Sequence, residues 1–107
     1  MTTPLKLATR RVDDGTAVLT AIGEIDMSNA AGFRDALSQA GTGGAGFIVD
    51  LTGVDYLDSA GLTALLPYAA RVTIIATAVL APVLSVSGLD PVTTVVPSGI
   101  ASPKTQD

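Results

Sequence analysis

The chain of 107 residues contains no cysteine and no histidine. Disulfides, thiolate or imidazole metal sites, Ser-His-Asp and Cys-His catalysis and histidine acid–base chemistry are therefore excluded. Aromatic residues are few, Phe33, Phe47, Tyr56 and Tyr68, too spread out to form a stacking platform. The six basic residues (Lys6, Arg10, Arg11, Arg34, Arg71, Lys104) are scattered, and the formal charge is −4. Nucleic acid is not expected as a partner, because phosphate contacts need clustered Lys and Arg. Ser59 lacks the Gly-x-Ser-x-Gly setting of a hydrolase nucleophile, since position 57 is Leu, and no base stands ready to activate it. The chain is not expected to be an enzyme.

Apolar material is plentiful: 48% of residues are hydrophobic and mean hydropathy is +0.51. That supports one domain with a single core and leaves no room for a second. The start, "MTTPLKLATRR", shows no basic-apolar-small cleavage pattern, so a cytoplasmic protein is expected. From Val72 to Leu89 there are eighteen residues without a charge, which reaches the length of a membrane span. Thr73, Thr77, Pro82, Ser85, Ser87 and Gly88 fall inside it, so strand plus helix is the better reading and no span is expected. A helix there has only hydroxyls for its polar side, so a homodimer through residues 72–89 is expected to cover it.

Periodicity supplies the order of elements. "LKLAT" alternates as a half-buried strand, and "DDG" at 13–15 turns it into "TAVLTAI", a hairpin. In "NAAGFRDALSQAG", Ala30, Phe33, Leu37 and Ala40 recur at helical spacing, with Ser28 as N-cap and Gly41 as stop. "FIVDL" reads as a central strand, followed by a seven-residue loop and a second helix. There Leu62, Leu65, Leu66 and Ala69 make one apolar stripe, and Pro67 should end it. "RVTIIA" is a further strand, and "TAVLAPVLSVSGL" a helix closed by Gly88 with Pro82 in its interior. "DPVTTVV" is a last short strand and 97–107 a flexible tail. The fold class is α/β: a mixed sheet of about four to five strands packed with helices.

Ser59 stands at the start of the second helix, where a hydroxyl can cap a free backbone N–H. Asp50, Asp55 and Asp58 lie close by in sequence, but acids in loops and at helix starts are more often caps and turns, so no metal site is expected. A receiver-like phosphoaspartate at Asp50 would need an acidic pair such as Asp13–Asp14, which instead suits the hairpin turn. It would also need a late lysine, and only Lys104 is available.

"GEIDMSNAAGFRDAL", "FIVDLTGVDYLDSAGLTALL" and "VLSVSGLD" together resemble the STAS domain, specifically the single-domain bacterial anti-sigma factor antagonists. The resemblance runs from about Leu5 to Val96, giving a STAS domain over 1–96. Asp-Ser-Ala-Gly-Leu at 58–62 is its most specific part. The resemblance implies that Ser59 is the residue phosphorylated by an anti-sigma factor that is also a serine kinase. It places Asp26 and Asp58, with Glu24, Tyr56, Ser59, Gly61 and Leu62, on the surface that meets this partner. Unphosphorylated antagonist would bind the anti-sigma factor and free the sigma factor; phosphorylation would end the contact and a phosphatase restore it, with no cofactor. Compared with the family, the stretch from Gly61 to Gly88 is shorter by roughly two helical turns. The alternative implied by the same resemblance is a scaffold subunit of a stress-signalling or lipid-transport complex, in which Ser59 is only a cap.

Overall fold

The computed structural model describes residues 4–12, 14–86 and 93–96. Among these, β1 (Lys6–Arg11) and β2 (Ala17–Ile25) form the expected hairpin. Asp14 Oδ1 accepts from the Thr16 N–H at 2.9 Å, and the Thr16 bonds, side chain first and backbone next, hold the Asp14 carboxyl below its usual range. Asp14 is thus a turn residue; Asp13 lies outside the described residues.

From β2 onward the chain winds in one direction. Helix α1 (Ala30–Ala40), strand β3 (Phe47–Leu57), helix α2 (Ser59–Leu65), a 3-10 turn (Leu66–Tyr68), β4 (Val72–Thr77), α3 (Ala81–Val86) and β5 (Thr93–Val96) follow in order. The sheet order is β1-β2-β3-β4-β5, antiparallel at β1/β2 and parallel elsewhere. Parallel crossovers are right-handed, so three crossovers stepping the same way put all three helices on one face. Burial agrees. Leu19, Ala21, Ile25, Phe47, Val49, Leu51, Val72, Ile74 and Ala76 share one core cluster with Phe33, Leu37, Leu65, Leu80 and Leu84 from the helix side. Thr20, Ile22, Ile48, Asp50, Thr73 and Ile75, on the alternate positions, are half-buried or exposed. Gly23, at φ +112, is required where the N-terminal segment crosses β2: a Cβ there would lie 2.2 Å from the Pro4 carbonyl oxygen.

Four expectations need correction. The loop expected at 52–58 is strand as far as Leu57, and Asp58 alone links it to α2. Against β2, strand β3 carries two extra residues, between the Thr20/Ile22 and Gly23/Glu24 positions. These bulges break the two-residue period that would have marked a strand. Ser28 does not cap α1: the cap position is Asn29, and the Ser28 hydroxyl donates to Asp26 Oδ1 at 2.5 Å. The α2 stripe is cut short. Pro67 sits in the 3-10 turn, the helix ends at Leu65, and Leu66 falls out of phase to 45% exposure. Finally, α3 starts at Ala81, so Pro82 stands in its first turn, where a missing N–H is harmless. Gly88 and the 97–107 tail lie outside the described residues. No helix among the described residues is long and apolar enough to cross a membrane.

Candidate functional site

The parallel pairing brings the ends of β2 and β3 side by side, with Ile25 opposite Leu57 and the Asp58 N–H donating to the Ile25 carbonyl at 3.2 Å. The chain then enters α2. Asp58, in an extended conformation (φ −96, ψ −173), is its N-cap. Oδ1 accepts from the N–H groups of Ala60 at 2.9 Å and Gly61 at 3.3 Å, satisfying two of the free donors of the first turn. Oδ2 reaches across to the next loop and accepts from the Met27 N–H at 3.2 Å. One carboxylate joins the helix start to the β2–α1 turn.

That settles the cap question raised by Ser59. Ser59 is the first residue of α2, one position inside the cap, and it is exposed. Its carbonyl accepts from Thr63 Oγ1 at 2.8 Å, while its hydroxyl makes no hydrogen bond among the described residues. The expectation of a serine cap is corrected: Asp and Ser are both good caps, and the one whose backbone is extended takes the role.

The β2–α1 turn is closely bonded. Asp26 Oδ1 accepts from the Ser28 N–H at 2.9 Å as well as its hydroxyl. The Asp26 N–H donates to Asn29 Oδ1 at 3.0 Å, and Asn29 Nδ2 donates to the Glu24 carbonyl at 2.9 Å. The Ser28 hydroxyl above all holds the Asp26 carboxyl below its usual range, against a smaller opposing effect of burial.

The sequence-derived surface divides. Asp26, Asp58 and Ser59 are brought together with Leu62, half-buried on α2. Gly61 is buried, and a Cβ there would lie 2.3 Å from Leu57 Cδ1 and 2.9 Å from Ile25 Cγ2. It lets α2 approach the strands. Glu24 and Tyr56 face each other in register. They alternate with the buried Ile25 and Leu57, so they sit on the sheet face away from the helices; Tyr56 is 51% exposed. Asp50 Oδ1 accepts from the Thr52 N–H and hydroxyl at 2.9 and 2.7 Å, a local turn-like role. No three acidic residues gather as metal ligands among the described residues. Sequence reasoning missed Met27, which is 82% exposed beside this cluster. A long apolar residue set between the polar Asp26 and Ser28-Asn29 was the available signal.

The chain belongs to the family described as "Mlab, STAS domain", which it matches over residues 8–96. No protein of curated function matches its sequence. Among solved structures, it is similar to an anti-sigma factor antagonist from Mycobacterium paratuberculosis, at 22% identity and TM-score 0.74, covering 86% of this chain and 85% of that one. It is also similar to the anti-sigma factor antagonist SpoIIAA in its unphosphorylated form, at 20% identity and TM-score 0.70, covering 85% and 88%. An uncharacterized Shewanella loihica protein with a SpoIIAA-like fold aligns at 15% identity and TM-score 0.58, covering 95% and 90%. These likenesses establish the fold, α/β with a mixed sheet.

Proposed function

We propose that this chain is a non-enzymatic binding protein of the anti-sigma factor antagonist type, working in the cytoplasm. Unphosphorylated, it binds an anti-sigma factor that is also a serine kinase, and so releases a sigma factor. Transfer of a phosphoryl group from ATP to Ser59 Oγ ends the contact, and a phosphatase reverses it. The observation that carries this reading is the Ser59 hydroxyl: exposed at the first position of α2, and relieved of the capping task by Asp58.

The chemistry is consistent with a switch that leaves the fold intact. Phosphorylation adds about −1.5 to −2 charges and three acceptor oxygens. The start of a helix tolerates an anion, so the protein keeps its shape. A partner that accommodates a neutral hydroxyl beside Asp26 and Asp58 would instead meet concentrated negative charge, and binding is lost. Asp26, Asp58, Leu62 and Ser59 form the near side of this surface, with Glu24 and Tyr56 around the strand ends.

The test is recovery of wild-type, Ser59→Ala and Ser59→Asp proteins from the source cells, with mass spectrometry of partners and phosphate. Phosphate on Ser59, and an ATP-binding partner retained by wild type and lost from Ser59→Asp, establish the switch. A second reading, a non-switching scaffold subunit of a stress-signalling or lipid-transport complex, is favoured by the matching family, whose description carries Mlab and not an antagonist. It requires identical partners on all three forms and no phosphate. Self-association through residues 72–89 is carried with either reading; Val79 in this stretch is 63% exposed. A concentration-independent monomer mass in sedimentation removes it.

A further inference from the structure

Resting on the reading of Ser59 as the switched residue, we propose that Met27 is a specificity-determining contact for the same partner protein. The partner would offer an apolar pocket to Met27 next to the group that reads the Ser59 hydroxyl, with Asp58 as the residue that positions Met27. Met27 is 82% exposed, more than the other exposed large hydrophobics described: Val79 at 63%, Tyr56 at 51%, Ile22 at 48% and Leu66 at 45%. Single exposed apolar residues are ordinary on loose surfaces. This one is not on a loose surface.

Its own N–H is held by Asp58 Oδ2 at 3.2 Å. On either side, Asp26 is tied to Asn29 at 3.0 Å and Ser28 to Asp26 at 2.9 Å. The turn therefore presents a flexible, polarizable thioether from a fixed backbone, which limits the ordering entropy lost on binding while letting the side chain adapt. Both Asp58 oxygens accept bonds from within the chain, and Asp26 Oδ1 accepts two from Ser28. Besides Asp26 Oδ2, the Ser59 hydroxyl and the exposed Met27 thioether are side-chain groups at this point without a partner within the chain. Because Met27 is bonded to Asp58, the residue before Ser59, a phosphoryl group on Ser59 brings charge to the edge of the apolar contact. Burying it there is unfavourable, so one pocket cannot accept both the buried Met27 and the phosphorylated neighbour.

The probe is the partner recovered with wild-type protein in the Ser59 experiment, purified and titrated calorimetrically against variants. Met27→Ala should weaken binding about tenfold or more, as truncation of an interface anchor does. Met27→Leu, which keeps the apolar bulk, should stay within about threefold. Asp58→Asn keeps the Oδ1 cap but replaces the oxygen that accepts from Met27 with a donor. It should weaken binding of wild type and add little in the Met27→Ala background. Unfolding midpoints of the Met27 variants should match wild type, since the side chain is exposed. Met27→Ala binding within about twofold of wild type, while Ser59→Asp abolishes it, overturns the proposal and leaves the Ser59 reading standing. Equal effects of Asp58→Asn in both backgrounds overturn the positioning role of Asp58. If no partner depends on Ser59, both readings fall.

Discussion

The two ends of the parallel strands are fastened by opposite chemistry. At the ends where β2 and β3 finish, carboxylates do the holding: Asp58 and Asp26 accept from backbone N–H groups and from the Ser28 hydroxyl. At the starts of β3 and β4, a cation does it. The Arg71 guanidinium donates from Nη1 to the carbonyls of Gly41 and Ala45 at 2.8 and 2.9 Å. It also lies over the rings of Phe47 and Tyr68, 5.6 and 5.3 Å from their centroids, which themselves meet edge to face at 5.5 Å. Each device suits the backbone groups left unpaired there: donors at a helix start, carbonyls where a helix has ended. The difference teaches where function can reside. The arginine end turns its guanidinium inward onto two loop carbonyls and two rings, whereas the carboxylate end leaves a hydroxyl, a thioether and one oxygen of Asp26 facing outward.

The comparison is broken most severely at the arginine end. Arg71→Ala removes two carbonyl bonds, both ring contacts and the packing of the aliphatic stem, and should destabilise by about 3 kcal/mol in denaturant unfolding. Binding by the surviving folded fraction should be unchanged. Next, Asp58→Ala deletes the cap and the link to Met27, for about 2 kcal/mol. Unlike Arg71→Ala, it should also disturb partner binding; equal binding by both variants would erase the distinction between the ends. Ser59→Ala should change stability by less than about 0.5 kcal/mol, because the hydroxyl has no structural partner. A loss of 1 kcal/mol or so would return the serine to a capping role.

The smallest effect sharpens the contrast by pH. Because the folded state holds the Asp26 carboxyl below its ordinary value of 3.8, its contribution to stability is present above that value and fades as pH falls through the lowered one. Carboxyl titration by NMR should show Asp26 low in wild type and nearer its ordinary value in Ser28→Ala. An unchanged titration in that variant would show that the Ser28 hydroxyl is not its main cause.

The hairpin, the α1 face, the Pro67 stop and the Asp-Ser-Ala-Gly-Leu segment were legible because each rests on local periodicity or on one residue with a fixed backbone demand. What escaped was set by neighbours. The bulges of β3 exist only in its pairing with β2, so Thr52–Leu57 read as loop. Between Asp58 and Ser59, composition cannot choose a cap; the backbone angles at Asp58 do. Gly61 looked like part of a recognition motif, and only the closeness of Leu57 and Ile25 shows that it also serves packing. Met27 carried little signal as a letter in the sequence, because its exposure on a bonded turn depends on Asp58, 31 residues away.

The strand order β1-β2-β3-β4-β5 has a bearing on how the protein comes into being. Every strand pairs with the one made just before it, so no strand must wait for a distant partner. A chain leaving the ribosome can add each strand and its covering helix to a sheet already begun, with short loop closures throughout. The turn holding Met27 is synthesised early but is locked only when Asp58 arrives, so completion of the surface around Ser59 coincides with the third strand and precedes β4 and β5.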